Sequence, residues 1–202
     1  MAEEFDNLPQ EEQQPAPEGK QRPGFGLFDW LQMFLYCLLT AMILFNTVIR
    51  VTLVHGESME PTLHGGELTL IWSLGYEPEP GDIVVLNKVD AAIPGWNGQK
   101  AIVKRVIAVG GQSVHIDYDA GLVYVDGQPL DEPYIKENMH RVLDSNMQQT
   151  HWEVPPDCIF VMGDNRNNST DSRHTMLGCI DNDYLLGQVV SRFWPLSEFQ
   201  LF

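Results

Sequence analysis

The chain has 202 residues, of which 44% are hydrophobic, and a formal net charge of -16. This length accommodates one ordinary domain together with appended segments. The negative charge argues against nucleic acid as a partner, because nucleic-acid binding needs a basic surface, and anionic lipid headgroups would repel the chain as a whole.

The first segment, residues 1–29, is rich in Glu, Gln, Pro and Gly and contains few aliphatic residues. Such a composition cannot bury enough apolar surface to offset the conformational entropy that a chain loses on folding. We therefore expect residues 1–29 to form a disordered acidic tail.

An uncharged stretch of twenty residues follows, from Trp30 to Ile49. A helix of this length spans about 30 Å, the thickness of the hydrocarbon core of a bilayer. A secretory signal peptide is the alternative, but its apolar region is shorter and lies nearer the N-terminus. The sequence thus predicts a transmembrane anchor helix over residues 30–49. Positively charged residues are more frequent on the cytoplasmic side of a membrane helix. Two of them, Lys20 and Arg22, precede the predicted span, and one, Arg50, follows it, which favours a cytoplasmic N-terminus. Residues 50–202 would then lie outside the cytoplasm.

Residues 50–202 alternate short β-rich runs with turn signals made of Gly, Pro, Asn and Asp. The runs are RVTLV, ELTLIW, DIVVLNKV, AIVKRVIAV, SVHIDY, LVYVDG, CIFVMGD and LLGQVVSRFWP. This pattern predicts a mainly β domain of the sandwich or barrel type. A polar, irregular stretch over residues 131–150 indicates an insertion, partly helical around ENMHRVLDSNMQQ.

The run AIVKRVIAVGG, residues 101–111, sets a lysine and an arginine side by side in an apolar strand. Lysine and arginine are rarely buried unless they are paired, so the strand either lies at an edge or offers partners to both. Burial would lower the pKa of Lys104 and supply a neutral amine, whereas a lysine that reaches water stays charged. Strand alternation places Arg105 on one face and, on the other, Ile102, Lys104, Val106 and Ala108.

The stretch HGESMEPTLHGG, residues 55–66, holds Ser58 between a flexible Gly56 and a rigid Pro61. A serine on such a bend suits a nucleophile whose own backbone N–H stabilises an oxyanion, although a serine that merely caps the turn is the alternative. Lys104 is one candidate base. A Ser-His-Asp arrangement would instead use one of His55, His64 and His174.

The loop GDNRNNSTDSR, residues 163–173, resembles a calcium loop but lacks its required Gly and Glu and has Arg166 at a ligand position. A metal ion is therefore not expected there. Its Asp, Arg and Ser side chains are better suited to pairing with Arg105 and Lys104, although a solvated turn is the alternative.

The sequence contains three cysteines and does not determine whether any two of them form a disulfide. Cys37 lies in the predicted anchor, while Cys158 and Cys179 flank the polar loop and could face each other on adjacent strands. A disulfide and two buried thiols are both compatible with this placement. No CxxC motif or Cys/His cluster in the sequence indicates a metal site.

Four sequence boxes follow the predicted span in a fixed order: SMEPTL (58–63), GDIVV (81–85), KRVIAVGG (104–111) and GDNRNNSTDSR (163–173). In this order the chain, from Trp30 to its C-terminus, resembles bacterial signal peptidase I, the membrane-anchored Ser-Lys peptidase of family S26. Its single predicted span resembles the Gram-positive form.

The resemblance implies roles for individual residues. Ser58 would be the nucleophile and a backbone oxyanion donor, Lys104 would be the general base, and Ser169 would orient the lysine amine. Gly56 and Met59 would contact the substrate, and Gly56 leaves the second oxyanion donor undefined because it has no hydroxyl. The supporting ion pairs would be Arg105–Asp164 and Asp171–Arg173.

The resemblance also implies a largely β catalytic core with a small inserted β region near residues 112–155. The substrates would be secretory preproteins with small residues at the first and third positions before the cut. No cofactor would be needed, the partners would be these preproteins and the lipid bilayer, and the enzyme would be monomeric. Two alternatives stay open: a Ser-Lys peptidase that cuts one dedicated substrate, and an inactive anchored β domain that binds partners.

Overall fold

A computed structural model of the protein describes residues 26–87, 101–140 and 144–202. Most of the predicted acidic tail, residues 1–25, lies outside the described residues, as does part of the stretch predicted to be helical, residues 141–143. The chain divides into two units, residues 1–40 and 41–202.

Helix α1 covers Leu27–Thr47. It begins earlier than the predicted span because the Gly26 N–H is capped by Asp29 Oδ2 at 2.9 Å, and an acidic side chain in the first turn complements the helix dipole. It ends before Ile49, where β-branched residues begin a strand. By length and composition, the stretch Leu27–Phe45 could span a membrane, and it is the one described helix that could.

The described part of the chain otherwise consists of short strands, joined by turns and three single-turn 3₁₀ helices. In chain order the strands are β1 (Ile49–Leu53), β2 (Leu68–Trp72), β3 (Ile83–Leu86), β4 (Ile102–Val109), β5 (Ser113–Asp117), β6 (Leu122–Val125), β7 (Gln128–Pro129), β8 (His151–Glu153), β9 (Cys158–Met162), β10 (Ile180–Asp181), β11 (Leu185–Trp194) and β12 (Gln200–Leu201).

These strands form two antiparallel sheets, which confirms the mainly β prediction. The large sheet has the order β1-β2-β11-β3-β4-β9-β10, with β12 paired to β11. The small sheet has the order β7-β6-β5-β8 and falls within residues 112–155, the range expected for the insertion. Each predicted run overlaps one of the longer strands. The sequence missed β7, β8, β10 and β12, which are too short for an alternating pattern to emerge.

Strand β4, which carries Lys104 and Arg105, lies inside the large sheet between β3 and β9. The lysine is therefore not on an edge strand. Strict alternation is broken near the end of the strand, where a bulge lies between Val106 and Ala108 in the pairing with β9. As a result, Val106 packs in one apolar cluster and Ala108 in another, which corrects the prediction that they share a face.

A third apolar cluster anchors the turn that carries Ser58. Val54, Met59 and Leu63, from both sides of the serine, are buried there with Ile71 and Val189. Full burial of a side chain of this size stabilises the fold by about 1.5–3 kcal/mol. The turn is thus fixed to the sheet while Ser58 itself stays half-buried.

Cys158 is the first residue of β9 and Cys179 directly precedes β10, and the two do not form a disulfide. The register places Cys158 opposite Asp181, so Cys179 is offset from it by two residues. Of the two alternatives that the sequence left open, a disulfide and two thiols, the structure has two thiols.

Candidate active site

The turn after β1 presents Ser58 to solvent and ties its backbone to the loop at 163–173. Gly56 has a φ of 78°, a left-handed conformation that glycine adopts without strain. The Ser58 carbonyl accepts a hydrogen bond from Asn165 N at 3.0 Å, and the Glu57 carbonyl accepts one from Asn165 Nδ2 at 3.1 Å. The Ser58 N–H has no acceptor among the described residues, so it is available to a ligand.

Lys104 reaches Ser58 from the interior of the large sheet. Its side chain comes from β4, where Lys104 pairs with Val84, and the residue is only 4% exposed. The Nζ atom lies 2.6 Å from Ser58 Oγ and donates a hydrogen bond to the Val103 carbonyl at 3.0 Å. The serine and lysine therefore meet in one cleft although 46 positions separate them in the chain.

Burial lowers the pKa of Lys104 to about 8, because the charged ammonium is removed from water. The guanidinium of Arg173 lowers this pKa further, while the carboxylates of Asp171 and Asp164 raise it and limit the shift. About a tenth of the lysine is then neutral one pH unit below that value. A neutral amine in contact with a serine hydroxyl can accept its proton.

Arg105 and Asp164 form a buried, bidentate ion pair beside the site. Arg105 Nε lies 2.8 Å from Oδ1 of Asp164, and Nη2 lies 2.7 Å from Oδ2. Arg105 Nη1 donates to the Gly81 carbonyl at 2.7 Å, and Asp164 Oδ2 also accepts a 2.5 Å hydrogen bond from Thr62 Oγ1. The pair thus connects the sheet, the loop at 163–173 and the turn that carries Ser58.

A second ion pair, between Asp171 and Arg173, lies fully buried within that loop. Arg173 Nε and Nη2 each approach the carboxylate to 2.8 Å, and the Gly163 N–H donates to Asp171 Oδ2 at 3.0 Å. Burial works to raise the pKa of Asp171, but the charge and hydrogen bonds of Arg173 outweigh it, and the pKa is lowered from its ordinary value. Both groups therefore stay charged and hold the loop in one conformation.

Ser169 lines the same cleft as Ser58 and Lys104. Its Oγ is shielded from solvent, and no hydrogen bond of normal geometry joins it to Lys104. The Ser169 hydroxyl instead lies close enough to Asp171 to help lower the pKa of that carboxyl. Gly163 is what allows its approach, because a Cβ at position 163 would overlap both Ser169 Oγ and the Ser58 carbonyl oxygen.

The segment 132–136, to which the sequence assigned no functional role, covers the first ion pair. The guanidinium of Arg105 lies 4.0 Å from the ring centroid of Tyr134, and that of Arg166 lies 6.0 Å from it. Arg166 is itself paired with Glu132. The sequence signal was only an aromatic residue within an irregular polar stretch, which does not specify a partner far away in the chain.

The cleft has a volume of about 540 Å³. Gly56 forms part of the cleft wall. Met59, which was expected to contact the substrate, is only 2% exposed, packs in the core and does not line the cleft. The apolar part of the wall is formed by Leu53, Val85, Ala101, Ile102, Val103 and Met147.

The three candidate histidines are engaged elsewhere. His55 lies on the cleft, but its Nδ1 contacts the Leu53 carbonyl at 2.9 Å. His64 lies 3.5 Å from Glu67, and the buried His174 accepts a hydrogen bond from a backbone N–H through Nδ1. Within the described ranges, the basic group in contact with Ser58 Oγ is Lys104.

One cluster of potential metal ligands lies outside this cleft and comprises His64, Glu67 and Glu198. Arg192 Nη1 lies 3.1 Å from Glu67 and 3.8 Å from Glu198. Because this guanidinium already balances the two carboxylates, the cluster is a poor site for a metal cation.

Known proteins share this sequence pattern over most of the chain. The family model described as signal peptidase, peptidase S26 matches residues 27–194. The chain is 34% identical over 178 residues to signal peptidase I of Bacillus caldolyticus, covering 84% of this chain and 92% of that protein. It is 34% identical over 172 residues to the probable signal peptidase I-1 of Synechocystis, covering 83% of each chain.

Signal peptidase IB of Staphylococcus aureus is 33% identical over 189 residues, covering 86% of this chain and 93% of that protein. Among solved structures, a signal peptidase I from Enterococcus faecalis V583 is similar with 25% sequence identity and a TM-score of 0.41. That match covers 56% of this chain and 97% of the Enterococcus faecalis chain.

Proposed function

The chain belongs to the signal peptidase family, peptidase S26, and from this premise we propose that it is a membrane-bound signal peptidase I with a Ser58–Lys104 dyad. Membership of the family makes it a peptidase that acts on signal peptides. The dyad, the cleavage motif and the membrane arrangement are our proposal. The observation that carries it is the 2.6 Å separation of Lys104 Nζ and Ser58 Oγ in an open cleft.

In the proposed reaction, neutral Lys104 accepts the Ser58 hydroxyl proton while Oγ attacks the scissile carbonyl carbon. The tetrahedral intermediate collapses to an ester on Ser58 when the lysine returns the proton to the leaving amine. The same amine then activates a water molecule, whose attack breaks the ester and releases the signal peptide. These steps require no cofactor.

The Ser58 N–H is the proposed oxyanion donor, since it has no acceptor among the described residues. Gly56, which lies two positions earlier, has no side chain with which to provide a second donor. We therefore assign the second donor to a backbone N–H of the turn or to water. Ser169 is proposed to orient the lysine amine, because its shielded hydroxyl lies in the cleft that also holds Ser58 and Lys104.

The proposed substrate is a preprotein with small residues at the first and third positions before the cut. Two alternate positions of an extended peptide point their side chains to the same face, so both would meet one wall of the cleft. That wall is apolar around Ile102 and Val103, which supports a preference for small apolar side chains. Peptide backbone would pair with the chain segments beside Ser58 and Lys104.

The proposed arrangement has residues 1–29 in the cytoplasm, an anchor near residues 30–49 and the peptidase domain, residues 50–202, outside. The apolar composition of α1 supports the anchor. Confinement of the enzyme and the preprotein to one membrane raises their effective concentration. A monomer is sufficient for this scheme, because both proposed catalytic residues come from one chain.

Cleavage of a preprotein with a small-x-small site by the full chain in detergent tests this proposal. We expect Ser58→Ala and Lys104→Met each to reduce kcat/KM by at least about a thousandfold, since dyad members act as a unit. Ser197→Ala is the matched control, because its side chain is exposed and outside the cleft. Retained cleavage in either dyad variant would show that the Ser-Lys mechanism is wrong.

The same assay separates the alternatives. A peptidase with one dedicated substrate would leave a panel of unrelated preproteins intact while it cleaves a single membrane protein. An inactive binding domain would cleave nothing in the wild type and would show equal partner binding in the Ser58→Ala variant.

A further inference from the structure

Two histidines face each other on the outer side of the small sheet. His115 in β5 is directly opposite His151 in β8. The next pair along these strands, Ile116 and Thr150, is hydrogen-bonded, because the Ile116 N–H donates to the Thr150 carbonyl at 2.8 Å. His115 and His151 therefore occupy a non-hydrogen-bonded position, where side chains on adjacent antiparallel strands are closest.

Both imidazoles are exposed, and their surroundings orient them. The ring centroids lie 6.5 Å apart with an interplanar angle of 45°. Tyr124 packs beside His115, with ring centroids 5.9 Å apart. His151 Nε2 lies 2.9 Å from Glu153 Oε1, which is its neighbour on the same face of β8.

We propose that His115 and His151 form a surface site for a divalent transition metal such as Cu²⁺ or Zn²⁺. Imidazole nitrogen is a preferred ligand of these ions, which lie about 2.0–2.1 Å from it. The hydrogen bond from His151 Nε2–H to Glu153 leaves Nδ1 as the ligating atom. A carboxylate in this position fixes the tautomer and orientation of a metal-bound histidine. Side-chain rotation would bring both rings, whose centroids lie 6.5 Å apart, to one ion, and water would complete its coordination.

This site is independent of the proposed catalytic cleft. Val114, Ile116 and Trp152 alternate with the two histidines on β5 and β8 and are buried in the core of the small sheet. The histidines consequently point to the opposite, solvent-exposed side. An ion between them would join β5 to β8 without any contact to Ser58 or Lys104, neither of which lies on these strands.

Titration of the full-length protein in detergent with Cu²⁺, followed by electron paramagnetic resonance, tests the proposal. We expect one saturable site with nitrogen coupling from two imidazoles. His115→Asn and His151→Asn should each lower the Cu²⁺ affinity by at least about tenfold. Glu153→Gln should lower it by roughly tenfold to a hundredfold, because the second-sphere carboxylate is lost.

His64→Asn is the matched control, because it alters the other cluster of possible ligands while leaving the small sheet unchanged. Circular dichroism verifies that each variant is folded. Zn²⁺ should displace Cu²⁺ from the wild type only in large excess, because Cu²⁺ binds a nitrogen site more tightly than Zn²⁺. Equal affinity in the wild type and the His115/His151 double variant would overturn the proposal, as would loss of the signal in His64→Asn alone. Preprotein cleavage is measured separately, so failure of the metal site leaves the peptidase proposal untouched.

Discussion

At the scale of single residues, two adjacent cations in β4 are treated in opposite ways. Arg105 is paired with a bidentate carboxylate, whereas Lys104 is buried against a serine hydroxyl and a backbone carbonyl. Of the two side chains, only the lysine can have a pKa near the pH at which the enzyme works, because a guanidinium remains protonated in proteins. The apolar setting that makes a lysine costly in a strand is thus what equips it to act as a base.

The lowered pKa of Lys104 predicts that cleavage rises with pH. The neutral amine is the active form, so kcat/KM should climb tenfold per pH unit below the pKa and level off above about 8. The measurement is a pH profile of preprotein cleavage between mildly acidic and alkaline pH, with unfolding monitored in parallel. A flat profile over that range would argue against the lysine as the base.

The sequence singled out Lys104 and Ser169, which line the same cleft as Ser58, because each lies in a compact box with unusual composition. It did not reveal Thr62, Tyr134 or Glu132. Thr62 contacts Asp164, Tyr134 contacts Arg105, and Glu132 contacts Arg166. The two members of each pair are between 29 and 102 residues apart in the chain. Contacts of that kind depend on how the strands are arranged, and one sequence carries no local signal for them.

At the scale of elements, the segment 132–136 connects the small sheet to the proposed site. It follows β7, and its Tyr134 ring covers the Arg105 guanidinium at 4.0 Å. The Lys136 N–H donates to the Asp164 carbonyl at 3.1 Å. Both members of the Arg105–Asp164 pair therefore contact a segment from the inserted region, and we propose that this region has a positioning role in the peptidase.

We predict that Tyr134→Ala weakens catalysis more than substrate binding. Loss of the aromatic face removes a cation–π contact worth about 0.5–2 kcal/mol and lets the ion pair shift beside the dyad. Steady-state kinetics should show kcat lowered several-fold with little change in KM, and a shifted pH profile.

Tyr134→Phe is the matched control because it keeps the ring and removes only the hydroxyl, which contacts Glu132 at 3.2 Å. It should restore kcat and the pH profile to nearly wild-type values. If Tyr134→Ala lowers only the free energy of unfolding and leaves both kcat and the pH profile unchanged, the segment has no positioning role.

At the scale of the whole molecule, charge and hydropathy divide the chain more clearly than its strands do. The uncharged stretch and the succession of β-rich runs were sufficient to predict an apolar helix followed by a mainly β domain. They did not predict the bulge in β4 or the two- and three-residue strands, since these features arise from pairing between strands rather than from local periodicity. The orientation of the helix rests on only three flanking cations, so it calls for a direct measurement.

The proposed orientation predicts which parts of the chain a membrane-impermeant thiol reagent reaches. Single cysteines introduced as Glu3→Cys and Asp119→Cys probe the tail and an exposed turn of the β domain. In intact cells, Asp119→Cys should react and Glu3→Cys should not, because the bilayer shields the cytoplasmic side. After detergent lysis both should react, and the wild type, with its three native cysteines, gives the background. Labelling of Glu3→Cys but not Asp119→Cys in intact cells would show that the orientation is the opposite of the proposed one. The peptidase domain would then face the cytoplasm, where it could not meet the cleavage site of an exported preprotein.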